Sequence, residues 1–366
     1  MMQPLAGRLV LDFTTLLPGP LATLMLAEAG AEVIKIERPG GEDMRGFPPF
    51  VEGQSVPFAL LNRGKASHVA DLKNGEDRAR LMPLIERADV LVEQFRPGVM
   101  ARLGFGYETL AAINPRLVYC SITGYGQTGP KAGIVGHDLN YVAETGLLAL
   151  SHGSAAAPVL PPAQIADIAG GTFPAVINIL LALMAADRTG QGRHLDIAMC
   201  DAMFTFAVFA QAQGQGGVGV PANGQGFLAG GLARYNLYRA ADGRLVAIGA
   251  LEPKFWATVC DVLALPAEAR DDMRDPIGVK AAVAAAISRE TSAIWAARFT
   301  GLDACVSVVA TLEEAMRDPH VRARGLFAPQ VEVGSTTLPA AVVPIDTSLR
   351  DGTAVKAAPT LSHANS

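Results

Sequence analysis

The sequence predicts an α/β fold: a large domain built on a parallel sheet, followed by a smaller α+β domain. Three observations predict it. Short apolar, β-branched runs alternate with helix-like segments through the first two hundred residues. The length, 366 residues, exceeds what one small core organises. A glycine-rich stretch at 214–231 separates that alternation from a hairpin and a set of helices.

Residues 8–13 (RLVLDF) form the first strand. Residues 21–29 (LATLMLAEA) have helical character and stop at Gly30, and 32–36 (EVIKI) is again strand-like. Residues 68–72, 90–95 and 117–123 repeat the strand signal, with helices at 77–88 and 107–113 in the gaps. A further strand covers 193–198, and an apolar helix runs over about 201–213. Beyond the glycine-rich stretch, 235–239 and 245–249 flank Ala241, Asp242 and Gly243 as the arms of a hairpin. Helices follow at about 253–263, 277–289 and 292–299. The large domain is therefore expected at 1–225, the small domain at 226–328, and 329–366 returns to the large domain.

The segment 168–186 carries no charge and approaches membrane-spanning length. It opens on Gly170 and Gly171, contains Pro174 and Asn178, and lacks an aromatic belt, so it reads as a helix buried in a large core rather than a membrane span.

Half of the residues are apolar and 18% are charged, as in a packed soluble protein. The net charge is -5 and no dense Lys/Arg block occurs, which argues against nucleic-acid binding. A compact anionic ligand needs only a few local cations and stays possible. Cys120, Cys200, Cys260 and Cys305 are widely spaced, with no C-x-x-C pair and no zinc-like His/Cys cluster. They read as buried, reduced thiols of a cytoplasmic protein without a bound metal. No basic region followed by an apolar run opens the chain, so no signal peptide is expected.

Gly214, Gly216 and Gly219 match G-x-G-x-x-G, but they follow a helix, whereas a dinucleotide fingerprint follows a strand and opens a helix. A flexible loop is the better reading. Walker A, G-x-S-x-G and H-E-x-x-H patterns do not occur.

Two ionisable residues stand in unusual settings. His137 lies in GHDLNY (136–141), after a loop rich in glycine. Asp167 immediately precedes the apolar segment with its paired glycines, where a helix start would offer free N–H groups to an anion. On composition alone each has a bland alternative: a hydrogen-bonded loop histidine and an N-cap carboxylate.

Longer segments carry a resemblance. LLPGPLATLMLAEAGAEVIKIERPGG (16–41), NRGKASHVADLK (62–73), FRPGVMARLG (95–104), GYGQTGP (124–130), YRAADG (238–243) and DACVSVVATLEEAMRDPHVRARG (303–325) closely resemble, in order, segments of the CaiB/BaiF proteins. This family comprises the family III CoA-transferases and the 2-methylacyl-CoA (alpha-methylacyl-CoA) racemases. The resemblance implies a Rossmann-like large domain, a small domain, and an interlinked homodimer. It also implies an acyl-CoA substrate and a place in fatty acid metabolism.

Two chemistries follow from the resemblance. In the transferases, an Asp at the position of Asp167 is the nucleophile that moves CoA between carboxylic acids. In the racemases, that Asp is an acid/base paired with a His in a GHDINY-like segment, here His137. GALEPKF (249–255) resembles the racemase segment whose Glu, here Glu252, pairs with that histidine, and LAGGLARY (228–235) is similar to a racemase loop. CoA is implied to bind at Arg38, at Ala70, Asp71, Leu72 and Lys73, and at Gly136, Asp138, Leu139, Asn140 and Tyr141; Arg96 is added as a further candidate cation. CoA belongs to the substrate, so no separate cofactor is implied.

The sequence departs from the racemase pattern at Ala233-Arg234, where a Pro and an aromatic residue are usual. It also departs at DACVSVV in place of DACVTPV, and at LSHANS in place of a GEHT-like segment. These differences concern the acyl chain more than the acid/base pair. The expectation is a racemase. The alternatives are a CoA-transferase and a CoA-thioester-binding protein without activity.

Overall fold

The structure is a computed structural model and describes residues 3–350, 352 and 355–361. Positions 362–366, most of the LSHANS segment, lie outside the described residues. The chain divides into two compact units. The first takes in the described residues up to Val142, Ala163 to Met203, and those from Asp318 onward; the second takes in Ala143–Pro162 and Phe204–Arg317. Of the segment expected as the small domain, 226–317 lies in the second unit and 318–328 in the first.

The first unit is built on a six-stranded parallel sheet. Its strands are β1 (Leu9–Phe13), β2 (Glu32–Glu37), β3 (Ala66–Val69), β4 (Val90–Glu93), β5 (Val118–Thr123) and β6 (Arg193–Ala198), in the order β6-β5-β4-β1-β2-β3. β1, β4 and β5 are buried along their whole length, which is why they read as mostly apolar runs. The chain winds one way from β1 to β3 and the other way from β4 to β6. The carboxyl ends of β1 and β4 therefore flank the topological switch point of a Rossmann-like sheet.

The strand expected at 68–72 is Ala66–Val69 instead. Its ladder with β2 ends at the Glu37↔Val69 pair. Asp71 then turns the chain by accepting the N–H of Lys73 at 2.9 Å through its carboxylate and that of Asn74 at 2.8 Å through its carbonyl.

Helix α1 (Pro18–Glu28) packs nearly every residue inward and ends at Gly30, whose φ of 102° only glycine adopts freely. Beneath it lies a cluster of fully buried charges. Asp12 on β1 sits 3.0 Å from Lys65 Nζ and 3.9 Å from Lys35 Nζ, and Lys35 lies 2.9 Å from Glu42. Asp12 also accepts the Thr14 N–H at 2.9 Å and the Thr23 hydroxyl at 2.6 Å. Burial opposes ionisation of Asp12. The two lysines and the two threonine hydroxyls outweigh it and hold the carboxyl well below the ordinary range.

A π-helical turn (Ala166–Thr172) leads directly into α2 (Phe173–Thr189). Together, Ala166–Thr189 is long and apolar enough to cross a membrane, yet less than half of its most apolar window is buried. The expectation of a helix enclosed in a core needs correction. Ala175, Val176, Ile179, Ala182, Leu183 and Ala186 pack inward. Ile177, Leu180, Leu181 and Met184 form an outward stripe that is 56%, 38%, 58% and 55% exposed. The spacing is helical, so one face packs and the opposite face does not. The helix expected over 201–213 is two helices, α3 (Met199–Phe206) and α4 (Val208–Gln215), interrupted at Ala207.

In the second unit, β7 (Tyr235–Arg239), β8 (Leu245–Gly249) and β9 (Val306–Val308) form an antiparallel sheet, with the expected hairpin between β7 and β8. Its core gathers Trp256, Val259, Val283, Ile287 and Trp295 from the helices Pro253–Val262, Pro276–Ile287 and Ser292–Phe299. Cys120, Cys200 and Cys260 are buried, whereas Cys305 is exposed, contrary to expectation. It directly precedes β9 and has a positive φ of 49°.

Replacing Asp12 by Asn leaves Lys35 and Lys65 buried against Glu42 as the one remaining carboxylate of the cluster. Unfolding in urea is expected to show a loss of about 3–5 kcal/mol.

Candidate active site

A cavity of about 420 Å³ opens at the switch point. Its walls come from the turn after β1, the turn after β4, the end of β5, and the segments around His137 and Asp167. This is the crevice in which open parallel sheets bind ligands.

The turn after β1 does not build the phosphate cradle of a dinucleotide site. Pro18 and Pro20 remove two of the N–H groups at the start of α1, and the Gly19 N–H is donated to Gln94 Oε1 at 3.1 Å. Gly19 itself is required here, because a Cβ would fall 2.3 Å from the Thr14 methyl group.

His137 precedes a helical turn, Asp138–Glu144. Its N–H donates to Asn140 Oδ1 at 3.0 Å, and the Asn140 N–H returns to the His137 carbonyl at 2.8 Å. The buried Tyr141 ring packs over this loop and its hydroxyl donates to the Gly136 carbonyl. Cβ atoms at Gly124 and Gly136 would lie 2.4 and 2.8 Å from that ring, so both glycines make room for it.

Asp167 occupies the π-helical turn. Gly170 lets this turn approach α3, since a Cβ there would lie 2.5 Å from the Met199 carbonyl. Burial raises the Asp167 pKa, the neighbouring Asp138 carboxylate raises it further, and His137 pulls it back, to about 6. The expectation of free N–H groups here is corrected for two residues. The Asp167 N–H donates to Asp138 Oδ1 at 3.0 Å, and the Ile168 N–H to the Gln164 carbonyl at 3.0 Å.

Of the residues singled out from sequence, His137, Asp167, Gly136, Tyr141 and Arg96 line this one cavity. Asp138 and Asn140 support it through the bonds above. Leu139 is exposed and is not part of the wall. Arg38 lies on the surface, donating to the Gly41 carbonyl at 3.0 Å and pairing with Asp43. Ala70 is buried, Asp71 and Leu72 are half-buried and Lys73 is exposed; neither they nor Arg38 line the cavity. Glu252 is an exposed residue of the second unit, at the start of the helix Pro253–Val262.

Sequence reasoning missed Thr15, Leu16 and Gln94 as wall residues. The available signal was topological: both turns follow strands that flank a switch point.

Residues 5–365 match the family model described as CoA-transferase family III. The chain belongs to this family. Alpha-methylacyl-CoA racemase of Homo sapiens is 35% identical over 92% of this chain and 85% of that protein. Acetyl-CoA:oxalate CoA-transferase of Acetobacter aceti is 36% identical over 92% of this chain and 87% of that protein. Among solved structures, a CaiB/BaiF family protein from Brucella suis superposes with a TM-score of 0.84 at 28% identity, covering 99% of this chain and 97% of that one. This family III chain is thus about equally similar to proteins named for two different reactions.

The raised Asp167 pKa has a consequence for stability. A carboxyl at about 6 in the fold and 3.8 as its ordinary value is neutral in both states only well below pH 3.8, where nothing is lost. As pH rises from about 3.8 to about 6, ionisation increasingly favours the unfolded chain, and above about 6 the penalty stays constant. Asp167→Asn is therefore expected to unfold with about 1–2 kcal/mol more stability than wild type at pH 8, allowing for partial solvation. The difference should fall to roughly a fifth of that at pH 4, as followed by denaturant unfolding at both pH values.

Proposed function

We propose that this family III protein inverts the α-carbon of 2-methyl-branched acyl-CoA thioesters by proton transfer between His137 and Asp167. The observation that carries the reading is their common cavity, in which the Asp167 pKa of about 6 suits exchange of a proton near neutral pH. One group removes the α-proton, a planar enolate forms, and the other group returns a proton to the opposite face. Two groups are needed because a single base tends to return the proton to the face it came from. The roles of His137 and Asp167 exchange with the direction of turnover.

CoA would enter as part of the substrate, with Arg96 at the cavity and Arg38 and Lys73 as further cations for its phosphates. The enolate oxygen would take its donors from groups other than the N–H of Asp167 and Ile168, which are already committed.

A second reading has its own support, because CoA-transferases match this chain at the same level of identity as racemases. There, Asp167 would attack the thioester as a nucleophile. The presence of His137 favours the racemase reading, since the resemblance assigns a histidine in that segment to the racemase chemistry.

The α-proton NMR signal of (2R)- and (2S)-2-methylacyl-CoA in D2O separates the two. Wild-type protein should wash out the signal with inversion and without moving CoA to added carboxylates. His137→Ala and Asp167→Ala should each lower inversion by about 10²–10⁴-fold, and each should spare exchange of one enantiomer. Rapid CoA movement with an unexchanged α-proton would overturn the proposal.

The active form is proposed to be a homodimer. The apolar stripe on α2 is of the kind that a second copy covers. Sedimentation at micromolar concentration should give a dimer, and a monomer would contradict it.

A further inference from the structure

We infer that Glu42 is a positioning residue of this site: with Lys35 it clamps the turn after β1 and holds Leu16 in a left-handed backbone conformation, so that Leu16 forms a wall for the acyl group. The acyl part of this statement rests on the proposed function; the clamp rests on geometry alone.

Leu16 has a φ of 62°. Only glycine takes this conformation readily, and asparagine or aspartate can offset its cost with a local hydrogen bond; leucine cannot. Strain of this kind persists only where the surroundings over-determine it, and it gathers at functional sites.

The surroundings here are specific. The Leu16 N–H donates to Glu42 Oε2 at 2.8 Å. The other Glu42 oxygen lies 2.9 Å from Lys35 Nζ, and Lys35 also donates to the Thr14 carbonyl at 2.8 Å. One buried ion pair therefore grips both ends of the segment Thr14, Thr15 and Leu16. Glu42 is 5% exposed and Lys35 is fully buried, so water competes little for either group.

The clamp is itself anchored. The Glu42 N–H donates to Glu37 Oε2 at 3.1 Å, and Glu37 at the end of β2 is held by Arg45 at 2.7 Å and by the Ser67 hydroxyl at 2.7 Å. Leu16 lines the same cavity as His137 and Asp167, whereas Glu42 and Lys35 do not. Glu42 thus acts through Leu16. Relaxation of Leu16 to a right-handed conformation would turn its N–H away from Glu42 and move its side chain out of the wall.

A double-mutant cycle tests this. Glu42→Gln keeps the volume and removes the charge, and Leu16→Gly removes the strain that the clamp has to hold. With Leu16 present, Glu42→Gln should lower kcat/KM for a branched acyl-CoA about tenfold, while inhibition by free CoA stays within about twofold. In the Leu16→Gly background, the same change at Glu42 should cost less than about twofold. Equal losses in both backgrounds, or a parallel loss of CoA affinity, would overturn the clamp.

Hydrogen exchange at the Leu16 amide of the wild-type protein needs no variant to fold. It should be slow, and exchange at the rate of an open loop would also overturn the inference. If wild-type protein moves CoA instead of the α-proton, the proposed function fails and the cycle is read on transfer rate. If the α-proton exchanges but the cycle shows no coupling, the clamp alone fails.

Discussion

The carboxylate of Asp12, buried under α1 and shared between Lys65 and Lys35, is the constraint on which the first unit depends. Ions withdrawn from water are costly unless every charge finds a partner and every lone pair a donor. Here Thr14, Thr23 and Asn62 add hydrogen bonds to the ion pairs, with Lys65 donating to Asn62 Oδ1 at 2.8 Å. The cluster therefore ties β1, β2, α1 and the approach to β3 into one arrangement. It also determines where the chain goes as it leaves β1, since Thr14 is bound from two sides. The position of the crevice follows from that.

The crevice is the one that dinucleotide-binding proteins use, reached by the same strand order, but its chemistry is different. A phosphate cradle needs free N–H groups and glycines in the first turn. Proline at positions 18 and 20 and the bond from Gly19 to Gln94 leave little for a phosphate at the start of α1. What enters the crevice instead is the pair His137 and Asp167, brought in by segments far along the chain. The fold supplies a concave site at a predictable place, and the side chains delivered to it decide the reaction.

Much of the sheet is legible in the sequence because burial on both faces writes a strand as a short, mostly apolar run, as in β1, β4 and β5. Legibility fails where the deciding contact lies elsewhere in the chain. The third strand begins two residues before its composition suggests, because its extent is set by the ladder with β2 rather than by its own residues. The break at Ala207 has no proline or glycine to announce it. The apolar segment before β6 reads as core throughout, since apolar composition does not distinguish a face packed within the chain from one left outward. At the site, glycine-rich surroundings single out His137 and Asp167, and the structure brings both to one cavity. Arg38 and Lys73, singled out by resemblance, do not line it, and Glu252 belongs to the second unit. Leu16 has no local signal at all, because its positive φ is imposed by Glu42 and Lys35 from other parts of the chain.

The bond from the Asp167 N–H to Asp138 joins positioning to proton affinity. Asp138 holds the backbone of Asp167 in place, and the same carboxylate, a like charge nearby, adds to burial in raising the Asp167 pKa. His137 acts in the opposite direction and keeps the carboxyl from rising further. A carboxyl poised near 6 is still mostly ionised at neutral pH, yet it binds a proton far more readily than a solvated one. That balance serves a base that must also give its proton back. It would also make a more basic nucleophile, so the carboxyl alone supports either reaction of the family. The histidine sharing its cavity is what tilts the reading, because a carboxylate nucleophile has no proton to surrender, whereas inversion at carbon needs a second proton carrier.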